Sequence, residues 1–187
     1  MSRITSSISI PNILTLVRIL LTPVFVILLL RDMFSTALLV FAVAGISDGL
    51  DGLIARCLNQ RTTLGSYLDP AADKLLLTSA FIVMAVLGII PDWLMVIVIT
   101  RDVVIVLGLA ILTLTEKEYE IKPTLVSKCT TTIQILMVFV SLYDPSHVKL
   151  AMLHPALLWG TAVITTLSGL HYIYIGMNIL QEPDLDG

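Results

Sequence analysis

Apolar segments recur along the whole chain, and their length restricts the possible folds more than any other feature. Runs of roughly 17 to 25 mostly apolar residues are long enough to cross the hydrocarbon core of a bilayer as α-helices. Of the 187 residues, 57% are hydrophobic and only 13% are charged, whereas soluble domains carry about 25% charged residues. The sequence therefore predicts an all-α integral membrane protein in which residues 1–187 form a single membrane domain.

Polar breakers divide the apolar sequence into six predicted spans. The breakers are Arg31-Asp32, Pro91-Asp92, the charged cluster at 116–122 and Asp144-Pro145. The predicted transmembrane helices cover residues 12–30, 33–56, 66–90, 93–115, 124–143 and 155–180. The expected fold is a bundle of six transmembrane helices.

The charge of the short connections predicts the orientation of this bundle. Six basic residues lie in or beside the connections on one side: Arg56, Arg61, Lys74, Lys117, Lys122 and Lys128. The opposite side carries only Arg31 and Lys149. Because cytoplasmic loops carry the excess of Lys and Arg, both termini and the segment 48–73 are predicted on the cytoplasmic side of a multi-pass inner-membrane protein.

The end of the second span carries two aspartates and two small residues on one helical face. Asp48, Asp51, Gly52 and Ala55 follow at i, i+3, i+4 and i+7. Carboxylates near hydrocarbon are expensive, and those found there usually hold a metal or handle protons. Glycine inside a helix costs up to about 1 kcal/mol relative to alanine. The close approach of a ligand or of another helix would explain Gly52.

The start of the third span repeats this pattern. Gly65, Asp69 and Asp73 follow at i, i+4 and i+8, again on one face. Pro70 is best tolerated in the first turn of a helix. We therefore expect the helix to begin within the turn before Pro70, and the second aspartate pair to lie close to a helix N-terminus.

Four carboxylates with only Arg56 and Lys74 nearby cannot all form internal ion pairs. A divalent cation supplies the missing positive charge, and hard carboxylate oxygens suit Mg²⁺ or Mn²⁺, as one ion or two. Such a site serves chemistry on a phosphate, where one aspartate can accept a proton from an incoming hydroxyl. The alternative is helix capping and small-residue packing, which does not account for four acids on two faces.

The chain resembles the CDP-alcohol phosphatidyltransferases, and it matches every position of their signature: Asp48-x₂-Asp51-Gly52-x₂-Ala55-Arg56-x₈-Gly65-x₃-Asp69-x₃-Asp73. The stretch from Pro11 to Pro23 is similar to the family's entry into its first membrane helix. Six spans also match the family core. The resemblance therefore covers nearly the whole chain, in the branch of the phosphatidylglycerophosphate and cardiolipin synthases.

The resemblance implies a reaction and a set of catalytic residues. In this family CDP-diacylglycerol gives its phosphatidyl group to an alcohol and releases CMP. By resemblance, Asp48, Asp51 and Asp69 hold Mg²⁺ or Mn²⁺, expected as two ions. Asp73 completes the metal site and acts as the base on the acceptor hydroxyl.

The resemblance also implies where the nucleotide binds. The positions around the CDP moiety are Asp48, Gly52, Ala55, Arg56 and Gly65. Small residues admit a bulky nucleotide, and the Arg56 guanidinium offers a fork for phosphate oxygens. A glycerol-based acceptor, the lipid bilayer and a homodimeric partner subunit are implied as well, and no nucleic-acid partner is expected.

Two basic residues further along the chain are candidates for acceptor binding. Arg101 lies near the middle of the fourth span, and Lys128 lies near the start of the fifth. Both could line a polar cavity and bind an anionic acceptor, or Arg101 could simply form an ion pair with Asp102. The polar side of the fifth span, at 130–134, suits either a cavity wall or helix–helix hydrogen bonding.

The two groups of synthases in this branch differ in the alcohol that accepts the phosphatidyl group. Glycerol-3-phosphate, the acceptor of phosphatidylglycerophosphate synthases, is the leading interpretation, because two cations can grip its phosphate. However, Thr100-Arg101-Asp102 departs from the Arg-Glu pair of those synthases. The stretch 123–128, with Thr131 and Gln134, is more similar to the cardiolipin synthases, whose acceptor is phosphatidylglycerol.

Two other classes of protein compete with the enzyme interpretation. A transporter would carry charges near the membrane midplane and internal repeats with interrupted helices, whereas these aspartates cluster at one interface. A non-enzymatic membrane scaffold would have no use for four metal-type ligands. Both are weaker than the phosphatidyltransferase interpretation.

Overall fold

The computed structural model describes residues 10–58, 63–114 and 125–181, with side-chain surroundings for 16–47, 74–108, 110–111, 126–179 and 181. These residues form six α-helices and no β-strand, which confirms the all-α prediction for this part of the chain. The helices are α1 (Ile10–Leu30), α2 (Phe34–Leu58), α3 (Thr63–Val86), α4 (Asp92–Leu114), α5 (Leu125–Tyr143) and α6 (Leu153–Gln181).

The helix bounds agree with the predicted spans to within two residues, except in α3. The third span was expected to continue to Ile90, but α3 ends at Val86. Gly88 follows with a φ of 70°, a left-handed backbone conformation that glycine adopts readily and that commonly ends helices. The glycine thus ends α3 four residues before the predicted bound.

The prediction that α3 begins in the turn before Pro70 is wrong. The helix begins at Thr63, about two turns earlier. A proline inside a helix removes one backbone hydrogen bond, and a long apolar helix can absorb that loss. Pro23 lies inside α1 in the same way. The pair Asp69 and Asp73 therefore lies in the body of α3 rather than at its N-terminus.

The contacts within the chain define two compact units, Met1–Leu87 and Gly88–Gly187. In the first unit, α1 packs against both α2 and α3. Phe25 of α1 and Phe41 of α2 are buried with their ring centroids 5.6 Å apart, and Phe81 of α3 is also fully buried. Arg18, on α1, is buried as well. The helices that carry the four aspartates are thus both packed on α1.

In the second unit, α6 packs against both α4 and α5. Its core contains Leu94 and Val98 of α4, Met137 of α5 and Leu158 of α6. Several hydroxyl and amide side chains are buried in the same unit: Thr130, Gln134, Ser141, Thr161, Thr165 and Ser168. This unit therefore combines an apolar core with buried polar groups that need partners.

Two of the described helical stretches, Val126–Tyr143 and Leu153–Ile179, are long and apolar enough to cross a membrane. Shorter apolar stretches occur at Leu16–Leu30, Phe34–Ser47 and Lys74–Val86. Within the two long stretches, 33% and 28% of the residues are buried inside the protein. Most residues of the two stretches are thus at least partly exposed. Six transmembrane spans stay a prediction.

Candidate active site

All eight positions of the aspartate motif lie on helical backbone. Asp48, Asp51, Gly52, Ala55 and Arg56 fall within α2. The other three, Gly65, Asp69 and Asp73, fall within α3. The side chains of these eight residues lie outside the part of the chain whose side-chain surroundings are described. The predicted helical spacing holds for the backbone, and each half of the motif occupies one face of its helix.

The two halves of the motif lie at matching distances from the connection between their helices. Asp48 is ten residues before the end of α2, and Asp73 is ten residues after the start of α3. Asp51 and Asp69 are seven and six residues from the same ends. At a rise of about 1.5 Å per residue, the two outer positions are each about 15 Å from the connection along their helices. Four residues, 59–62, separate the two helices.

Arg101 is the best-defined polar feature of the second unit. It is 6% exposed, and its guanidinium is hydrogen-bonded from three directions. Nη1 donates to Asp102 Oδ1 at 2.8 Å, and Nη2 donates to Ser127 Oγ at 2.8 Å. Both Nε and Nη2 lie 3.3 Å from Ser168 Oγ. Arg101 on α4 is therefore linked to side chains of α5 and α6.

The local ion pair expected as the simpler alternative for Arg101 is present, since Asp102 is its carboxylate partner. Arg101 also lines a cavity of about 240 Å³ with Thr100 and Thr165, but most of the other lining residues are apolar. Lys128 is exposed on α5 and does not line this cavity. Lys128 adjoins Ser127, which accepts a hydrogen bond from Arg101. The acceptor role of the two cations stays a prediction.

The polar side of α5 forms a hydrogen bond to α6. Gln134 Nε2 donates to Thr165 Oγ1 at 3.1 Å, and both residues are buried. The hydroxyl of Thr130 lies 2.8 Å from the Val126 carbonyl oxygen and 3.5 Å from that of Ile164. The hydroxyls of Thr131 and Thr132 donate only to carbonyls of their own helix. Helix–helix hydrogen bonding, one of the two alternatives for this region, accounts for Gln134, whereas the Thr130 hydroxyl donates to its own helix.

The role of Ser168 is not apparent from the sequence. It is fully buried and accepts two hydrogen bonds from the Arg101 guanidinium. One small hydroxyl in a long apolar helix gives no signal of this kind, because serine is common in membrane helices for packing reasons. Ser127 lies within the stretch 123–128, and its contact with Arg101 is likewise not apparent from the sequence.

The fold and the motif together define a class: an all-helical protein with two pairs of aspartates on consecutive helices. The profile of the CDP-alcohol phosphatidyltransferases matches residues 8–167. This match covers more than half of the chain and includes the whole aspartate motif. The protein belongs to the CDP-alcohol phosphatidyltransferase family.

Individual relatives have names from the same branch. The cardiolipin synthase (CMP-forming) of Rattus norvegicus is 37% identical over 190 residues, covering 92% of this chain and 63% of the rat protein. A Mycobacterium tuberculosis protein, provisionally named a cardiolipin synthase, is 34% identical over 96% of this chain and 88% of its own length. A second M. tuberculosis protein, "Probable phosphatidylglycerophosphate synthase", is 41% identical over 54% of this chain and 52% of its own length. The chain thus spans less than two thirds of the rat relative.

Proposed function

We propose that this protein is a phosphatidyltransferase that moves the phosphatidyl group of CDP-diacylglycerol to a glycerol-based alcohol and releases CMP. The observation that carries this proposal is the complete aspartate motif on α2 and α3, inside the region that matches the family profile. Cardiolipin synthases and phosphatidylglycerophosphate synthases are the named relatives, and both belong to anionic phospholipid synthesis. The transporter and scaffold alternatives have no comparable support.

The donor set fits the divalent metal that the family generally uses. Asp48, Asp51, Asp69 and Asp73 offer only hard carboxylate oxygens, the ligands that Mg²⁺ and Mn²⁺ prefer. Their matching distances from the connection between α2 and α3 allow both pairs to serve one site. When bound, two ions would neutralise phosphate charge and orient the diphosphate.

The remaining roles in the reaction belong to residues of the chain. Asp73 takes the proton from the acceptor hydroxyl as that oxygen attacks the phosphorus atom, and CMP leaves. The guanidinium of Arg56 binds phosphate oxygens of the CDP moiety. Three small residues leave room for the nucleotide beside the helix backbone: Gly52, Ala55 and Gly65. Asp48 lies next to the nucleotide at the same site.

Arg101 and Lys128 are proposed to bind the anionic acceptor. The guanidinium of Arg101 is held in place by Asp102, Ser127 and Ser168. Serine hydroxyls can exchange for phosphate oxygens, which form stronger charge-assisted hydrogen bonds with arginine. Lys128 is exposed and adds a second positive charge next to Ser127.

Two acceptors fit these residues. Glycerol-3-phosphate is the leading candidate from the sequence, and the phosphatidylglycerophosphate synthase relative supports it over 54% of this chain. Phosphatidylglycerol is the second candidate, and one specific observation favours it. The relatives that match over 92% and 96% of this chain have cardiolipin synthase names.

A competition assay with purified protein decides between the acceptors. With labelled CDP-diacylglycerol, glycerol-3-phosphate and phosphatidylglycerol present together, we expect labelled phosphatidylglycerophosphate under the leading interpretation. Labelled cardiolipin that forms only when phosphatidylglycerol is supplied would replace that interpretation with the second. If CMP release does not depend on either alcohol, the proposed transfer reaction is wrong.

The same assay tests the acceptor residues. Because Lys128 is exposed, Lys128→Gln should raise the KM for the acceptor, by up to about tenfold if a charge-assisted hydrogen bond is lost. The KM for CDP-diacylglycerol should stay unchanged. Lys149→Gln removes another exposed cation in the connection between α5 and α6 and is the matched control. Equal effects of the two substitutions would contradict the assignment.

The membrane arrangement is also a proposal. All six helices are proposed to span the inner membrane as one catalytic domain covering 1–187, with the active site facing the cytoplasm. The two long apolar stretches in α5 and α6 support membrane insertion. Many other helical positions also carry exposed apolar side chains, for example Leu39 and Val86, as a surface that faces lipid would. A homodimer is proposed from the family resemblance alone.

Cysteine labelling tests the orientation. In a variant with Cys57→Ser and Cys129→Ser, a single cysteine introduced as Asp92→Cys should react with a membrane-impermeant maleimide added outside intact spheroplasts. Asp92 begins α4 and is exposed, so its position is accessible to the reagent. A cysteine introduced as Lys128→Cys should react only after the membrane is permeabilised. The reverse pattern would refute the orientation.

A further inference from the structure

An apolar groove runs along the second unit between α4 and α6. It contains two cavities, one of about 410 Å³ and one of about 240 Å³. Ile97 of α4 and Thr166 of α6 line both cavities, so the two cavities adjoin and form one groove. The transfer chemistry proposed for the aspartate motif does not account for this groove.

The groove follows both helices over a similar distance. Its lining extends from Trp93 to Val104 on α4 and from Trp159 to Ile173 on α6. At a rise of about 1.5 Å per residue, these stretches are about 16 Å and about 21 Å long. The hydrocarbon core of a bilayer is about 30 Å thick, so one leaflet accounts for about 15 Å. The groove is therefore about as long as one leaflet.

Polar side chains in the lining are engaged within the protein. The Thr165 hydroxyl accepts a hydrogen bond from Gln134, and the Thr166 hydroxyl donates to a carbonyl of its own helix. Arg101 directs its guanidinium to hydroxyl and carboxylate partners, and its Cβ and Cγ lie against Gly169. Most of the other lining residues are apolar. The groove thus fits a ligand that needs no hydrogen bonds.

Two tryptophans form one end of the groove. The ring centroids of Trp93 and Trp159 are 5.4 Å apart, with planes inclined by 35°, and Trp159 is 64% exposed. Tryptophan is enriched at the level of lipid headgroups, where its ring meets hydrocarbon and its N–H meets water. This end of the groove therefore marks the level of a headgroup, and the groove leads from it toward the membrane centre.

The groove is open along its side and narrow. Large apolar residues on its rims are exposed, among them Val96, Val163, Leu167 and Leu170. A helix with its side chains is about 10 Å across, so a helix of another protein would rest on these rims and leave the cavities beneath it unfilled. A single acyl chain is slender enough to lie between the rims and fill the cavities, and filled cavities gain dispersion contacts that voids lack.

We propose that the groove between α4 and α6 binds one acyl chain of a membrane glycerophospholipid, whose headgroup lies at Trp93 and Trp159. The site rests on the proposed membrane insertion of these helices. With the proposed orientation, the lipid belongs to the leaflet away from the cytoplasm. The site is separate from the aspartate motif on α2 and α3, and binding there does not depend on the transfer reaction.

Quenching of tryptophan fluorescence by brominated lipid tests the site, because the chain contains only two tryptophans and both line the groove. Full-length protein, delipidated in detergent micelles, is titrated with phosphatidylcholine that carries bromine in one acyl chain. This lipid is neither the proposed donor nor a proposed acceptor, so the result is independent of the transfer reaction. We expect saturable quenching with one lipid per chain. Quenching that rises in proportion to lipid content without saturation overturns the proposal.

The position of the bromine tests the direction of the lipid. With the headgroup at Trp93 and Trp159, bromine near the ester end of the acyl chain should quench more strongly than bromine near the methyl end. Equal quenching by the two lipids, or the reverse order, refutes the placement of the headgroup.

Substitution of Thr166 by phenylalanine blocks the groove where the two cavities meet. Thr166 is exposed, so the new ring enters the groove rather than the core. The lipid concentration for half-maximal quenching should rise by about tenfold or more, as overfilling of a packed site does. If Thr166→Phe does not fold, Val163→Phe at another exposed position of the lining serves the same comparison.

The matched control is Thr132→Phe on α5. Thr132 is also exposed, and its hydroxyl also donates to the carbonyl four residues earlier in its helix, but it lines neither cavity. Lipid binding by this variant should equal that of the wild-type protein. Equal effects of the two phenylalanine substitutions contradict the proposed site.

A second copy of the chain is the competing occupant of the groove. In a variant with Cys57→Ser and Cys129→Ser, Leu167→Cys places a single cysteine on the rim of the groove. Under mild oxidation in the bilayer, we expect this variant to remain uncrosslinked, because lipid covers the position. A disulfide-linked dimer would show that the groove faces another copy and would overturn the proposal.

Discussion

Replacing Asp73 by asparagine should slow CMP release by about 10²- to 10⁴-fold, the usual contribution of a positioned general base. Asparagine has nearly the same size as aspartate, but its amide cannot accept the proton of the acceptor hydroxyl. Binding of CDP-diacylglycerol should be largely preserved, because three other carboxylates still hold the metal. Single-turnover CMP release and equilibrium binding of the CDP-lipid measure the two effects separately.

The matched control is Asp32→Asn, in the turn between α1 and α2. Asp32 is exposed and has a φ of 56°, a conformation that asparagine tolerates well. The turnover of the Asp32→Asn variant should equal that of the wild-type protein. Near-native turnover in Asp73→Asn would show that another group is the base. Loss of CDP-lipid binding in that variant would instead assign Asp73 mainly to the metal site.

Removal of divalent metal should abolish turnover entirely. Excess EDTA should stop CMP release, and Mg²⁺ or Mn²⁺ added beyond the chelator should restore it, because the substrate diphosphate needs charge neutralisation that the four carboxylates cannot supply. Asp48→Asn and Asp69→Asn each remove one ligand charge. Both should shift the Mg²⁺ concentration for half-maximal activity upward by about tenfold or more, as lost ligands weaken hard-cation sites.

Metal titrations with Asp32→Asn provide the baseline for these shifts. A motif that only capped and packed helices would show no change in Mg²⁺ requirement when Asp48 or Asp69 is replaced. Undiminished CMP release in excess EDTA would falsify the metal assignment for the whole motif.

The sequence by itself located the helices and the motif. Long apolar runs and polar breakers placed five of the six helices to within two residues, because hydrophobic length and turn chemistry act locally along the chain. The aspartate positions were predicted on helices for the same reason. The start of α3 was placed wrongly, since the preference of proline for the first turn was outweighed by the helix around it. The end of α3 was also placed wrongly, because it depends on the left-handed backbone conformation of Gly88.

Only the tertiary structure decided which side chains meet. The ion pair of Arg101 with Asp102 joins neighbours in sequence, but Ser127 and Ser168 reach Arg101 from 26 and 67 residues away. Thr130 lies against α6 whereas the adjacent Thr131 is exposed. Such contacts depend on how each helix is rotated about its axis. The apolar residues of α6 surround the helix without a preferred side, so its rotation was set by packing against α4 and α5 and could not be predicted from hydrophobic periodicity.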